Sequence, residues 1–272
     1  MKKSLIASNV FLLALAAPVV AQAPHPMTAD EFLSLDRVAE PAISPDGKFV
    51  VYTVAKTDLG ANRRRQDLYL DWNPMGPPSA IAAMRISTDS LGGRSAKWSP
   101  DGKSIAYVSS RGGTPQLWIY RVTENDRRQL TSLSTGADGV IWSPTGTHLA
   151  FVSEVYPTCS DDACNARRAD EDAKKPSKAR TYDGLLFRHW TAWEDGLRSH
   201  LFVVPVGGGT PKDLTQGKDY DTPVPPFGAR PTTRSLPMAE SWRSPRSSAP
   251  TIPGRPTTTS LRFRSLVASR ST

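Results

Sequence analysis

One four-residue pattern constrains this chain more than any other feature, because it recurs with the same flanks. Ser44-Pro45-Asp46-Gly47 follows Ala42-Ile43 and precedes Phe49-Val50-Val51-Tyr52-Thr53. Ser99-Pro100-Asp101-Gly102 follows Lys97-Trp98 and precedes Ser104-Ile105-Ala106-Tyr107-Val108-Ser109. Ser143-Pro144-Thr145-Gly146 follows Ile141-Trp142 and precedes His148-Leu149-Ala150-Phe151-Val152-Ser153. Proline suits position i+1 of a type I turn, Asp or Thr position i+2, and glycine the following position, where positive φ is cheap. A short apolar run on each side reads as a hairpin of two antiparallel strands.

Each hairpin has a sequel. Gln116–Val122 and Arg128–Thr131 read as third and fourth strands after the second turn. Leu201–Val206 and Asp213–Thr215 do the same after the third, and Asp67–Leu70 is a candidate third strand after the first. Four strands repeated at this spacing are the signature of a propeller blade; three unrelated hairpins of an ordinary β-protein are the alternative. The expected fold is therefore all-β: an incomplete β-propeller of about three four-stranded blades. Thr28-Ala29-Asp30-Glu31 is a capping-box pattern. With Phe32, Leu33, Leu35 and Val38 it predicts a short N-terminal helix ending before Pro41.

The ends of the chain differ from its middle. Lys2-Lys3, the apolar run Leu5–Val20 and Ala21-Gln22-Ala23 read as a bacterial export signal with cleavage at Ala21 and Ala23; an N-terminal membrane anchor is the alternative. The expected product is periplasmic or secreted and has no membrane attachment after cleavage. Cys159 and Cys164, the only cysteines, are then expected to form a local disulfide. No histidine lies close by to complete a zinc site, and neither metal nor cofactor is expected.

The formal charge of the 272 residues is +8. Eight Arg and one Glu in residues 230–272 contribute +7, and Lys2 and Lys3 add +2, which leaves −1 for the rest. A near-neutral folded part gives no reason to expect a nucleic-acid partner. Arg63-Arg64-Arg65 reads better as part of a solvated loop spanning Thr57–Gln66 than as a phosphate contact. Asp161–Arg180 is highly charged and reads as a surface loop. The stretch from Tyr182 to Gly196 is different, because four aromatics and a histidine follow one another there. It either lines a substrate cavity, with Arg188, His189, Trp190 and Trp193 as candidate cavity-lining residues, or its aromatics simply pack.

Leu35-Asp36-Arg37-Val38 ahead of the first turn, the export signal, and Phe187-Arg188-His189-Trp190-Thr191-Ala192-Trp193 together resemble bacterial dipeptidyl aminopeptidases/acylaminoacyl peptidases of the prolyl oligopeptidase family. The resemblance covers roughly residues 27–228. Its blade motifs are shared with TolB-type propellers, which makes a periplasmic interaction scaffold the alternative. The resemblance implies an N-terminal propeller that restricts access to a C-terminal α/β-hydrolase domain, whose Ser–Asp–His triad cleaves short peptides. The 272 residues depart from that pattern. They contain no G-x-S-x-G elbow; Gly93-Arg94-Ser95-Ala96-Lys97 comes nearest and lacks the second glycine. His25, His148, His189 and His200 all lie in the N-terminal or propeller portion, and Gly207-Gly208-Gly209 reads as a turn rather than an oxyanion-hole run. No catalytic residue can be carried over, and the chain's own hydrolase domain is expected to be absent.

From Arg230 onward Arg, Ser, Thr and Pro dominate, which reads as a disordered basic tail. The genetic code permits a sharper reading. Forming each codon from the third base of one residue and the first two of the next allows Ala-Phe-Ser-Pro-Asp-Gly across residues 233–239. The same frame allows Pro-Val-x-Gly-Gly across 263–268, echoing Pro205-Val206-Gly207-Gly208. The expected organisation is thus a signal peptide at 1–23, an N-terminal helical segment at 24–40, a partial propeller at 41–229, and an out-of-frame tail at 230–272 that truncates the protein.

Overall fold

A computed structural model describes residues 25–72, 83–87, 92–111, 113–177, 179–182, 187–189, 192–193 and 195–222, together with the backbone of 234–235, 241–246 and 257–262. The expected export signal, with Ala21 and Ala23, lies outside the described residues.

The predicted helix is present but shorter than expected. Helix α1 spans Ala29–Ser34, and Thr28 and Glu31 close a reciprocal capping box at its start. Val38 and Pro41 instead belong to the first strand, β1 (Arg37–Ile43). β1 pairs with β2 (Phe49–Asp58), β2 with β3 (Arg63–Trp72), and β3 with β4 (Met84–Arg85). The predicted Thr57–Gln66 loop shrinks to four residues, because Asp58 still pairs with Arg63 across an extended β2–β3 ladder. The second sheet is β5 (Arg94–Trp98), β6 (Ser104–Ser109), β7 (Gln116–Arg121) and β8 (Asp126–Gln129), again antiparallel and in chain order. The third opens with β9 (Asp138–Trp142) and β10 (His148–Val155). The chain then makes an excursion through helix α2 (Asp162–Lys174) and a two-stranded hairpin, β11 (Arg188–His189) and β12 (Ala192–Trp193). It returns as β13 (Arg198–Pro205) and β14 (Lys212–Asp213), giving the order β9-β10-β13-β14. Three four-stranded antiparallel sheets, with only short helices, make this a mostly-β propeller portion.

The three turns are built alike. Gly47, Gly102 and Gly146 have φ of 73°, 70° and 71°, and their N–H groups donate to the carbonyls of Ser44, Ser99 and Ser143. Each serine hydroxyl accepts the N–H of the residue that opens the next strand, and in the first two turns it donates to the aspartate. The turns also stack between sheets. A Cβ on Gly102 would meet Pro45 Cδ at 3.4 Å, and one on Gly146 would meet Pro100 Cδ at 3.6 Å. The indole N–H groups of Trp98 and Trp142 donate to the carbonyls of Ala42 and Lys97, each at 2.9 Å.

The middle sheet shows why its strands are apolar on both faces. Ile105, Tyr107, Trp118 and Tyr120 pack toward the first sheet with Val51, Leu68, Leu70 and Ile86. Ala106, Val108, Leu117 and Ile119 pack toward the third sheet with Trp142, Leu149, Phe151 and Phe202. Among the described residues no sheet packs against β1 from the other side, and Val38 and Ile43 on it are exposed.

One further expectation changes. The charged 161–180 segment is largely helix: the Asp161 side chain caps α2 by accepting the Cys164 N–H at 2.7 Å. Buried Asn165 then pins the helix to Tyr156, whose backbone N–H it accepts at 2.9 Å. Within residues 230–272, the backbone of β15 (Arg234–Ser235), β16 (Ser241–Arg246) and β17 (Thr257–Arg262) pairs as an antiparallel sheet. β15 lies beside β9, as β9 lies beside β5 and β5 beside β1.

Candidate functional site

The β10–β13 excursion carries an exposed cluster of aromatic rings and guanidinium groups. The register of β11 and β12 places Arg188 opposite Trp193. The Trp193 ring is 41% exposed and stacks on Tyr182 at 6.1 Å and on Phe187 at 6.5 Å, while Tyr182 and Phe187 lie 5.6 Å apart. Two cations flank the indole: the guanidinium carbons of Arg180 and Arg188 lie 5.2 and 5.0 Å from its ring centre. Such contacts are favourable through the ring quadrupole. Arg180 Nε donates to Asp195 Oδ1 at 2.7 Å, and the Tyr182 hydroxyl reaches the same oxygen at 3.3 Å. The Asp195 hydrogen bond holds the Arg180 guanidinium above its ordinary, already high pKa.

Helix α2 belongs to the same excursion. The Tyr156 hydroxyl donates to Asp172 Oδ2 at 2.8 Å, and Arg168 lies 4.8 Å from the Tyr156 ring centre. Burial first, then the Asp172 hydrogen bond, pushes the Tyr156 phenol up to about 12. Cys159 and Cys164 form a disulfide at the start of the helix. The Ser134 hydroxyl and N–H both reach Asp162 Oδ1, tying the helix start to the loop ahead of β9.

Of the four candidate cavity-lining residues, the structure brings Arg188 and Trp193 together. His189 pairs through its backbone with Ala192, and its side chain lies outside the described residues, as does Trp190. Tyr182 and Asp195, from the same Tyr182–Gly196 stretch, and Arg180 complete the cluster. Arg180 has no clear sequence signal, because it sits at the end of a charged run that reads as solvated loop.

One buried histidine has the partners of a catalytic base without its freedom. His200 is 1% exposed; its Nδ1 lies 2.7 Å from Asp213 Oδ2 and its Nε2 lies 2.9 Å from the Lys218 carbonyl. Both partners are acceptors, so the ring is satisfied only with both nitrogens protonated. Burial alone would lower its pKa. The Asp213 hydrogen bond and charge, the Lys218 carbonyl and Asp221 outweigh it and hold the pKa above the ordinary value. With Nε2 committed to a carbonyl, His200 has no lone pair for a nucleophile.

His200 instead fills a structural slot. Asp67, Gln116 and His200 are each buried and precede the leucine that opens the buried apolar run of a third strand (Leu68, Leu117, Leu201). The N–H of each leucine donates to a hydroxyl beyond the fourth strand: Ser87, Thr131 and Thr215. The first two slot residues hold that hydroxyl directly, and His200 reaches Asp213, which holds Thr215.

Strand order, stacked turns and these slots define part of a β-propeller. The similar proteins include peptidases. Dipeptidyl-peptidase 5 of Porphyromonas gingivalis is 28% identical over 209 residues, covering 74% of this chain and 28% of that protein. The peptidase YuxL of Bacillus subtilis, described as uncharacterised, is 25% identical over 202 residues. Tol-Pal system protein TolB of Anaeromyxobacter dehalogenans is 39% identical, over 80 residues only. The chain thus spans just over a quarter of the length of the peptidases it matches. Among solved structures, a Pyrococcus horikoshii acylaminoacyl peptidase covers 86% of this chain at 12% identity, with a TM-score of 0.52. That likeness is one of fold. No family model matches the chain.

Proposed function

We propose that this chain is the substrate-gating propeller part of an exported serine exopeptidase that acts on short peptides, with Trp193, Phe187, Arg180 and Arg188 forming a peptide-contacting patch. The observation that carries the reading is the relation to dipeptidyl-peptidase 5 across 74% of the chain. The patch supports it: aromatic faces take up apolar side chains, and the flanking guanidiniums suit a carboxylate. Export to the periplasm or beyond rests on the signal ending at Ala21 and Ala23 and accords with the Cys159–Cys164 disulfide.

Hydrolysis requires a nucleophile, a base and an orienting acid in contact. The 272 residues hold no nucleophile elbow, and His200 is locked, so this polypeptide by itself does not hydrolyse peptides. The frame reading places the remainder of the propeller and the hydrolase in the alternative frame downstream of residue 230. An aminopeptidase assay with dipeptidyl and acyl-amino-acid substrates on the purified chain, together with the nucleotide sequence beyond codon 220, tests both points. Turnover that follows the protein through purification refutes the first, and an open frame free of blade motifs and of G-x-S-x-G refutes the second. The 80-residue match to TolB favours the second reading, an interaction scaffold; a stop codon after further blades with no hydrolase would support it.

A further inference from the structure

The segment after β14 turns and comes back along the start of β13, and its two ends are held differently from its tip. At the near end the Leu214 N–H donates to the Leu201 carbonyl, and the Leu201 N–H donates to the Thr215 hydroxyl. At the far end the Thr222 N–H donates to the Ser199 carbonyl, and the Ser199 N–H donates to Asp221 Oδ1. Both ends are thus bonded to the β13 backbone. The tip is the turn Gln216–Lys218, where Gly217 takes φ +70° and the Lys218 N–H reaches the Thr215 carbonyl at 3.0 Å. Side chains hold this tip in place. His200 Nε2–H donates to the Lys218 carbonyl at 2.9 Å, and Gln216 Nε2 donates to the Ser160 carbonyl at 2.9 Å. Ser160 adjoins the disulfide-bonded Cys159, so the tip bridges the outer edge of the third sheet and the base of the excursion.

The His200 bond depends on a proton. Asp213 Oδ1 accepts the Thr215 N–H, and Asp213 Oδ2 faces His200 Nδ1 at 2.7 Å. The ring therefore lies between a carboxylate and a carbonyl, both acceptors. Loss of one proton forces a choice between them. The bond to the carboxylate is charge-assisted and the stronger, so the remaining proton stays on Nδ1. The Nε2 lone pair then faces the Lys218 carbonyl, acceptor against acceptor. Burial opposes the ring's positive charge, and Asp213 from β14, the Lys218 carbonyl and Asp221 from the returning segment outweigh it. Uncharged Ser153 stands opposite on β10, Glu154 beyond it is exposed, and Arg198 pairs with Asp219.

We propose that His200 is a proton-operated latch for this tip. The imidazolium holds the Lys218 carbonyl and, through it, the Gln216–Ser160 bridge to the excursion; the neutral ring releases both while the ends of the segment stay on β13. The latch does not depend on what the aromatic patch contacts. It is closed below the ordinary histidine pKa of about 6.5 and opens as pH rises through the higher folded value.

NMR of the full chain across pH 5–9 tests it. Nitrogen-15 shifts of the imidazole report its protonation, and carbon-13 relaxation at Cα reports backbone mobility without interference from amide exchange. Nε2, and not Nδ1, is expected to lose its proton. At the same midpoint the order parameters of Gln216, Gly217 and Lys218 are expected to fall from about 0.85 to below about 0.6, while those of Leu214 and Thr222 stay at the rigid value. His200→Gln is expected to make the mobility of the tip independent of pH; should that variant fail to fold, the wild-type titration decides alone. A tip whose order parameters do not change as the ring titrates overturns the proposal, as does a ring that keeps both protons to the end of the range. Proton loss from Nδ1 contradicts the direction of release. Loosening of Leu214 and Thr222 together with the tip would mean that the whole sheet edge opens, and would overturn the latch as well.

Discussion

Trp142 donates its indole N–H to the Lys97 carbonyl across the seam between the second and third sheets, at 2.9 Å. Trp98 does the same to Ala42 one sheet earlier, and in both cases the glycine of the later turn sits over the proline of the earlier one. Sheet stacking is thus encoded at two residues of each inner strand and turn. Trp142→Phe removes the donor while keeping most of the ring, and should cost about 1–2 kcal/mol. Urea unfolding measures this as a shift in midpoint at unchanged slope. A change in slope would mean that the sheets had come apart rather than weakened.

The glycines separate two kinds of requirement. Gly47 has φ +73° with nothing within 4 Å of a built Cβ, so Gly47→Ala should cost only the left-handed penalty of about 1–2 kcal/mol. Gly92 has φ +69°, and its Cβ would lie 1.7 Å from the Gln66 carbonyl oxygen, which also accepts the Gly93 N–H. Gly92→Ala must therefore displace the β3 backbone and should cost on the order of 4 kcal/mol or more. Equal losses at the two positions in chemical denaturation would contradict this account.

Protonation of His200 makes the third sheet pH-sensitive. Its folded pKa stands above the unfolded value because of Asp213 and the Lys218 carbonyl, despite burial. Its stabilisation is therefore complete below the ordinary histidine pKa of about 6.5 and is lost as pH rises through the folded value. Burial likewise raises Asp221, whose contribution has the same sign and fades at lower pH, from about pH 4 upward. Thermal midpoints across pH 5–9 should fall in the upper half of that range. His200→Gln places in the third sheet the residue type that fills the same slot in the second, and should flatten the fall. An unchanged pH profile in that variant would contradict the assignment.

The turn aspartates act in the opposite direction. The Ser44 and Ser99 hydroxyls, followed by the Lys48 and Lys103 backbone N–H groups, hold Asp46 and Asp101 below the ordinary carboxylate value. Their contribution is present above about pH 4 and is lost as pH falls through the folded pKa values. The third turn carries Thr145 and lacks this titration. Amide exchange at Lys48 and Lys103 should therefore accelerate in acid, relative to the intrinsic rate, more than at Thr147.

The Cys159–Cys164 disulfide closes a short loop, for which loop entropy gives about 2 kcal/mol. A double Cys→Ser variant should lose about that much and fray α2 first, visible as lost helical circular dichroism ahead of the main transition. Concerted loss of helix and sheet would show that the capping and the contacts of Asn165 and Ser134 hold the helix without the bridge.

What the sequence disclosed and what it concealed have physical explanations. The turns were legible because Ser-Pro-x-Gly meets hydrogen-bond and φ requirements that few residues share. The sheets followed from them because the middle sheet is buried on both faces and leaves continuous apolar runs. The inner-strand irregularities were not legible. Glu40, Ser95 and Gly139 all take positive φ at corresponding points, three residue types meeting one backbone demand with no common signature. The β2–β3 ladder extends through Arg63–Arg65 because the antiparallel partner supplies its hydrogen bonds, which outweighs the polar composition. Helix α2 was concealed because its stability comes from Asp161, Asn165 and Tyr156, contacts that a charge count does not register. In the aromatic patch Arg188 and Trp193 were visible from their neighbours, whereas Arg180 reaches the indole from the far end of a charged segment.

The central claim is that the exposed Trp193 patch contacts peptide, and tryptophan fluorescence of the purified chain, titrated with short peptides bearing an apolar residue and a free carboxylate, tests it most directly. The account predicts a saturable change that is lost in Trp193→Ala and weakened in Arg188→Gln, with far-ultraviolet circular dichroism unchanged. A titration with no saturable change, or one that Trp193→Ala leaves intact, would contradict it.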